Sequence, residues 1–132
     1  MSGDRFPPPG LALIFDLDGV IVDSMPVHTL AWRRYLAARG IVDHEIVTRM
    51  HGRRNDEIVR DIFGAHLSER EVFEHGAAKE RLYRELMAPV LRQHLVPGIL
   101  EFLERAARAP MGVASNAERA NVEVLHAQQA EA

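Results

Sequence analysis

The chain has 132 residues, no cysteine and a formal net charge of −3 from 16 basic and 19 acidic side chains. Without cysteine there is no disulfide framework, no thiolate nucleophile and no cysteine-based zinc site. A slightly acidic chain has no bulk electrostatic attraction for nucleic acid or for an anionic membrane surface. Residues 1–10 lack the apolar core of a signal peptide, so we expect no membrane partner and a cytoplasmic location.

The first predicted element is a strand that ends in two carboxylates. Leu11–Phe15 is a short apolar run, which is typical of a strand buried on both faces of a parallel sheet. Asp16 and Asp18 follow it, and side chains two residues apart on an extended chain share one face. Gly19 then allows a turn. Since ligands bind at the carboxyl ends of parallel strands, this segment predicts a ligand-binding site to which both carboxylates contribute.

Helical stretches dominate the next part of the chain. Ser24, Asn55 and Ser68 are predicted N-caps, and Ser68 begins a capping box with Glu71. The four predicted helices run from Ser24 to about Arg39, from about Asp43 to Met50, from Asn55 to Gly64 and from Ser68 to Pro89. This organisation predicts a four-helix cap over residues 21–88.

The remaining residues predict a return to the sheet. Pro97 suits the first turn of a helix, Met111–Ala114 is a second apolar strand, and Asn116 is the predicted cap of a last helix that ends near Gln128. The predicted fold class is therefore α/β, with a partial Rossmann-like parallel core of two strands, residues 1–20 and 89–132, and the cap inserted into it.

Two sequence motifs resemble those of a known enzyme family. The first runs from Asp16 through Ser24 and is followed by His28 and Ala31-Trp32; the second is Met111–Asn116, preceded by Val96-Pro97-Gly98. Together they resemble the haloacid dehalogenase superfamily, and within it the phosphatases and mutases with a helical cap that are similar to β-phosphoglucomutase.

This resemblance implies a set of roles for the core residues. Asp16 would be the nucleophile that forms an aspartyl-phosphate, and Asp18 would be the general acid and base. Ser115 and Asn116 would bind the phosphoryl group. Because a carboxylate and a phosphate repel each other, the reaction needs a divalent cation, and oxygen ligands favour Mg²⁺. The resemblance assigns it to Asp16 and Asp18.

In the cap, the resemblance assigns His28, Arg53 and Lys79 to the substrate, a small phosphorylated metabolite such as a sugar phosphate. One position departs from the mutase pattern. The mutase has an arginine three residues after the glycine that corresponds to Gly52, and this chain has Asn55 there. The departure favours a general phosphatase over a sugar-phosphate mutase.

The third and fourth family motifs, a lysine and an acidic pair downstream of the serine, are absent from these residues. Lys79 is the only lysine, and no aspartate follows Asp61. The resemblance thus covers the first half to two-thirds of a family member, and we expect a truncated, impaired enzyme. Two alternatives remain open: a fragment that needs a second chain, including a homo-oligomer through an unpaired core edge, and a non-catalytic helical interaction module.

Overall fold

The computed structural model describes the backbone of residues 5–130 and the side chains of residues 5–124. Residues 1–4 lie outside this description. Contacts divide the chain into two compact units, one formed by the residues up to Ser24 and from Val90 onward, the other by Met25–Pro89. No helix in the described ranges has both the length and the apolar character that a membrane span requires.

The first unit contains a two-stranded parallel sheet. Strand β1, Leu13–Phe15, pairs with β2, Met111–Val113, in a register that places Leu13 opposite Met111 and Phe15 opposite Val113. Helix α5, Ile99–Arg105, packs on one face, where the rings of Phe102 and Phe15 meet edge to face at 6.0 Å. The unit also holds α6, Arg119–Ala130. The predicted α/β fold with two parallel strands is confirmed.

Parallel strands are ordinarily buried on both faces, but a core of two strands and a few helices leaves these strands partly uncovered. Ile14 is 76% exposed, Leu11 is 51% exposed, and all three residues of β2 are exposed. Residues at paired positions of a parallel ladder share a face, so Met111 and Val113 lie on the same face as Phe15, which contacts α5, and both are nevertheless exposed. The face that carries Ile14 has no covering helix among the described residues.

The second unit consists of four helices. They are α1 (Met25–Ala37), α2 (Ile46–Met50), α3 (Asn55–Phe63) and α4 (Glu69–Met87), and a 3₁₀ helix over Ala88–His94 leads out of the unit. Apolar side chains from all four helices form one buried cluster: Trp32, Tyr35, Leu36, Ile46, Met50, Ile58, Val59 and Val72. This unit therefore has a hydrophobic core of its own.

Some predicted helix ends agree with the structure and others are displaced: α1 begins directly after Ser24 and α2 ends at Met50, as predicted. Ser68 caps α4: its hydroxyl accepts a hydrogen bond from the Glu71 amide at 3.2 Å, and the Glu71 carboxylate accepts from the Ser68 amide at 2.8 Å. Asn55 is not a cap but the first residue of α3, and its side chain bonds elsewhere. Asn116 does not cap α6, which begins three residues later, because the turn before it is closed by Ser115.

Candidate active site

The parallel pairing brings the ends of the two predicted motifs to one edge of the sheet. The amide of Ala114 donates to the carbonyl of Phe15 at 2.9 Å, which continues the ladder by one residue beyond β2. Asp16 directly follows Phe15, and Ser115 directly follows Ala114. The first carboxylate of one motif and the hydroxyl of the other thus follow neighbouring strands at their carboxyl ends, as the sequence predicted.

Leu17 anchors the segment that carries the two carboxylates. Its side chain is 4% exposed, whereas Asp16 and Asp18 on either side are exposed. One Asp16 oxygen, Oδ1, accepts a hydrogen bond from the Leu17 amide at 2.7 Å, which restricts the carboxylate to one orientation. Gly19 has φ of 79°, a left-handed conformation that glycine adopts without strain, and the chain turns there.

Ser24 orients the second carboxylate. Its hydroxyl, on a side chain that is 3% exposed, donates to Oδ1 of Asp18 at 2.6 Å. Val22, 2% exposed, holds the intervening loop in place through backbone bridges to Asp18 and Leu95. Sequence reasoning assigned Ser24 only a helix-capping role. Its spacing from Asp18, six residues across a turn, carries no helical or strand period that would have indicated the contact.

Ser115 is half-buried and makes a local contact in addition to its predicted role. Its Oγ accepts a hydrogen bond from the Ala117 amide at 3.0 Å. The serine oxygen is thereby fixed, and its own proton remains available to be donated to a phosphoryl oxygen. Asn116 is exposed beside it.

In the cap unit, the structure brings His28 and Lys79 together. Lys79 is 2% exposed, and its Nζ lies 2.8 Å from Nδ1 of His28. The imidazole of His28 stacks on the ring of Tyr83 with 3.8 Å between centroids, and the ammonium lies 5.4 Å from the centre of the Trp32 ring. Predicted partners of a substrate therefore contact each other inside a helical bundle.

Two polar residues that sequence reasoning did not assign complete this group. Glu80, 4% exposed, accepts hydrogen bonds at Oε1 from Lys79 at 2.9 Å and from the Asn55 side-chain amide at 2.6 Å. We call the four connected residues the Lys79 network: His28, Asn55, Lys79 and Glu80. A buried carboxylate beside the buried ammonium neutralises its charge, and the contacts connect α1, α3 and α4. The adjacent Lys-Glu pair in the sequence gave no sign of burial, since such pairs are ordinarily solvated.

Arg53, the third predicted cap residue, forms an exposed ion pair. Its guanidinium donates to Oδ2 of Asp61 at 2.7 Å, and Arg49 donates to the same oxygen at 3.3 Å. The hydrogen bond from Arg53 lowers the pKa of the Asp61 carboxyl, and the same bond raises the pKa of Arg53. The arginine is therefore held against α3, away from His28 and Lys79 in its contacts.

The predicted magnesium ligands fit the ion by donor type. Among the described residues no group of three histidine, aspartate or glutamate side chains converges in a way that could hold a metal. Mg²⁺, however, is commonly held by one or two carboxylates, with waters and substrate phosphate filling its other positions. The Asp16 carboxylate and the Asp18 carbonyl are hard oxygen donors of that kind.

Comparison with known proteins identifies the family that this fold and motif pair define. The profile of the haloacid dehalogenase-like hydrolases matches residues 11–131, nearly the whole chain. The chain therefore belongs to the haloacid dehalogenase-like hydrolase family, as the motifs predicted.

The chain is also similar to individual curated proteins and solved structures. It is 30% identical to protein CbbY of Rhodobacter capsulatus over 86% of this chain and 54% of the relative. It is also 30% identical to the fructose-1-phosphate phosphatase YqaB of Escherichia coli, over 86% of this chain and 60% of that protein. The structure of a β-phosphoglucomutase from Clostridium difficile matches with a TM-score of 0.67 and 28% identity, over 87% of this chain and 55% of the mutase. The chain thus spans a little more than half the length of these proteins.

Proposed function

We propose that this chain carries the nucleophile half of a haloacid dehalogenase-type phosphatase that acts on a small phosphorylated metabolite. The observation that supports the proposal most strongly is the edge of the sheet, where Asp16, Asp18 and Ser115 follow two paired parallel strands. The family match over both motifs adds to it.

In the proposed reaction, an oxygen of Asp16 attacks phosphorus, the phosphorus–oxygen bond to the leaving group breaks, and an aspartyl-phosphate forms. Asp18 gives its proton to the leaving oxygen and then takes a proton from the water that attacks phosphorus, so that Asp16 and inorganic phosphate are released. Ser24 positions Asp18 for both transfers through the 2.6 Å hydrogen bond. Ser115 donates to a phosphoryl oxygen.

Mg²⁺ is the cofactor we propose, held by the Asp16 carboxylate and the Asp18 carbonyl, and it would offset the repulsion between carboxylate and phosphate. By the family resemblance, the third motif would add a lysine that binds the nucleophile and the phosphoryl group, and the fourth would add an acidic pair that completes the Mg²⁺ shell; these 132 residues contain neither. We therefore expect the polypeptide by itself to turn over slowly. A missing electrostatic donor typically costs about 10²-fold or more in rate.

Sugar phosphates are the substrate class we propose first. Two of the relatives are named for them, a fructose-1-phosphate phosphatase and a β-phosphoglucomutase. Asn55, which donates to Glu80 where the mutase pattern has an arginine, favours hydrolysis over transfer between sugar hydroxyls. His28, Arg53 and Lys79 remain the proposed substrate residues of the cap. To contact a substrate, Arg53 would have to leave Asp61, and Lys79 would have to donate a hydrogen bond to the substrate in addition to its contacts with His28 and Glu80.

Release of inorganic phosphate from a panel of sugar monophosphates, with and without Mg²⁺, tests this function. We expect slow, Mg²⁺-dependent release that the Asp16→Asn variant abolishes, because an amide is not a nucleophile toward phosphorus. Release that survives in Asp16→Asn would place the chemistry elsewhere. Fast turnover of roughly 1 per second or more would contradict the expected impairment.

The uncovered sheet favours a second candidate, a fragment that functions only with another chain. Ile14 at 76% exposure and Leu11 at 51% leave an apolar face and the outer edge of β1 open among the described residues. A strand edge of this kind pairs readily with another strand. In this case the chain would acquire activity or a binding role on association with the second chain. A non-catalytic helical interaction module, by contrast, would bind through the cap and show no phosphatase activity under any condition.

A further inference from the structure

A cleft opens at the amino ends of the two strands, at the opposite end of the sheet from Asp16 and Ser115. It has a volume of about 510 Å³ and is lined by the segment before β1, including Pro7–Pro9 and Leu11, and by Arg108 and Pro110 before β2. None of the residues proposed for phosphoryl transfer lies in its wall. The size falls within the range of roughly 300–1,000 Å³ that is common for small-molecule sites.

The walls of this amino-end cleft are held in place by packing on both sides. Phe6 meets the ring of Phe102 on α5 edge to face at 5.7 Å, and the guanidinium of Arg105 lies 5.4 Å from the Phe6 ring centre. On the other side, the carbonyl of Pro110 accepts a hydrogen bond from the amide of Leu13 at 2.9 Å. Proline rings fix φ, so a ligand would meet a surface that has little conformational freedom left to lose.

The charge in the cleft is of one sign. Among the residues that the structure describes, the charged side chains lining the cleft are Arg5 and Arg108, in a chain whose net charge is −3. No ion pair joins either guanidinium to a carboxylate within the described residues. Two unneutralised guanidinium groups beside apolar proline faces form a surface that complements an anion with a carbon skeleton.

We propose that the amino-end cleft is a second binding site, separate from the reacting edge, for a small phosphorylated metabolite. The phosphate would accept hydrogen bonds from Arg5 and Arg108, since the planar guanidinium fork matches phosphate oxygens. The carbon skeleton would lie on the faces of Pro7–Pro9 and Pro110. This assignment does not depend on catalysis by Asp16.

Binding of phenylphosphonate, measured by calorimetric titration at low ionic strength, tests the proposal. Its phosphorus–carbon bond withstands phosphatase chemistry, and its ring represents the carbon skeleton. We expect saturable binding that the double variant Arg5→Gln/Arg108→Gln weakens by about tenfold or more, and that salt weakens as well. Inorganic phosphate, which lacks the apolar part, should bind more weakly to the unmodified chain.

Two controls separate this site from the other features of the molecule. Arg33→Gln/Arg34→Gln removes the same charge from exposed positions on α1 and should change the affinity by less than about twofold. The titrations are carried out in the Ser115→Ala background and without Mg²⁺, so that the proposed phosphate site of the reacting edge does not contribute to the measured affinity. The proposal is overturned by the absence of saturable binding, by equal losses in the two arginine pairs, or by inorganic phosphate binding as tightly as phenylphosphonate.

Discussion

At the scale of single residues, the Lys79 network is notable because it removes two charged side chains of the cap from water. Lys79 and Glu80 are 2% and 4% exposed, so both charges have lost most of their hydration. Contacts of 2.9 Å between them and 2.6 Å from Asn55 to Glu80 offset that loss. Breaking a buried pair by removing one partner is far more damaging than replacing both, because it leaves a charge without compensation.

We therefore expect Lys79→Met to lower the free energy of unfolding by about 3–5 kcal/mol, with the Glu80 carboxylate left buried. The double variant Lys79→Met/Glu80→Gln should recover a large part of that loss. Urea denaturation followed by circular dichroism measures both, with Arg81→Met on the exposed side of the same helix as a matched control. If the double variant were as unstable as Lys79→Met, the loss in free energy of unfolding would not come from the uncompensated Glu80 carboxylate, and the prediction would be wrong.

Residue identity predicted the core site better than it predicted the cap. Asp16 could be placed because it directly follows β1, Asp18 because it comes two residues later, and Ser115 because it follows the ladder that pairs the two strands. The contacts of Ser24 and Glu80 could not be predicted, since they depend on how a turn and a helix bundle bring distant residues together. Sequence spacing specifies the face of an element but not its neighbour.

At the scale of elements, local rules placed the helices well and the strands less well. Ser68 and Glu71 form the predicted capping box at the start of α4, because both partners lie within one turn. The apolar run Leu11–Phe15 is typical of a buried strand, but burial needs covering layers, and a core of two strands and a few helices leaves this run partly uncovered. Hydrophobicity therefore predicted the strand itself and not its environment.

The capping box makes a prediction about pH. The backbone and hydroxyl hydrogen bonds from Ser68 lower the pKa of the Glu71 carboxyl below its ordinary value. A lowered pKa in the folded state means that the ionised carboxylate stabilises α4 above the ordinary glutamate pKa, and that this contribution is lost as the pH falls through the lowered value. Glu71→Gln should thus destabilise the chain at pH 7 and have a smaller effect below about pH 4.

Urea denaturation at pH 7 and pH 3 measures this difference. Glu69→Gln serves as the control, because Glu69 also lies in the first turn of α4 and forms no capping box. The same loss for Glu71→Gln at both pH values would refute the assigned linkage. If Glu69→Gln lost as much free energy of unfolding as Glu71→Gln at pH 7, the effect would come from negative charge near the helix N-terminus and not from the capping box.

At the scale of the whole molecule, the two units differ in how completely they bury their apolar residues. The cap unit encloses the cluster around Trp32 and Leu36, both at most 1% exposed. The sheet unit leaves Ile14, Met111 and Val113 between 39% and 76% exposed. The sheet unit is therefore open on the described residues, whereas the cap unit is closed around its core.

We predict that this open sheet makes the chain associate with itself. Sedimentation at low micromolar concentration should show a dimer or a larger species, because an apolar strand edge and face are exposed together. Ile14→Glu should shift the distribution toward monomer. Val42→Glu, at a position in the cap unit that is 75% exposed, should not. A monodisperse monomer that unfolds cooperatively would contradict the prediction.

The central claim is that Asp16 at the end of β1 is a phosphoryl acceptor, and trapping the phosphorylated residue tests it most directly. The chain is incubated with Mg²⁺ and a reactive donor such as acetyl phosphate, quenched in acid, and its peptides are analysed by mass spectrometry. We expect phosphate on Asp16, more of it in Asp18→Asn because water activation is lost, and none in Asp16→Asn. Phosphate on another residue, or an unmodified Asp16 in both the parent chain and Asp18→Asn, would contradict the account.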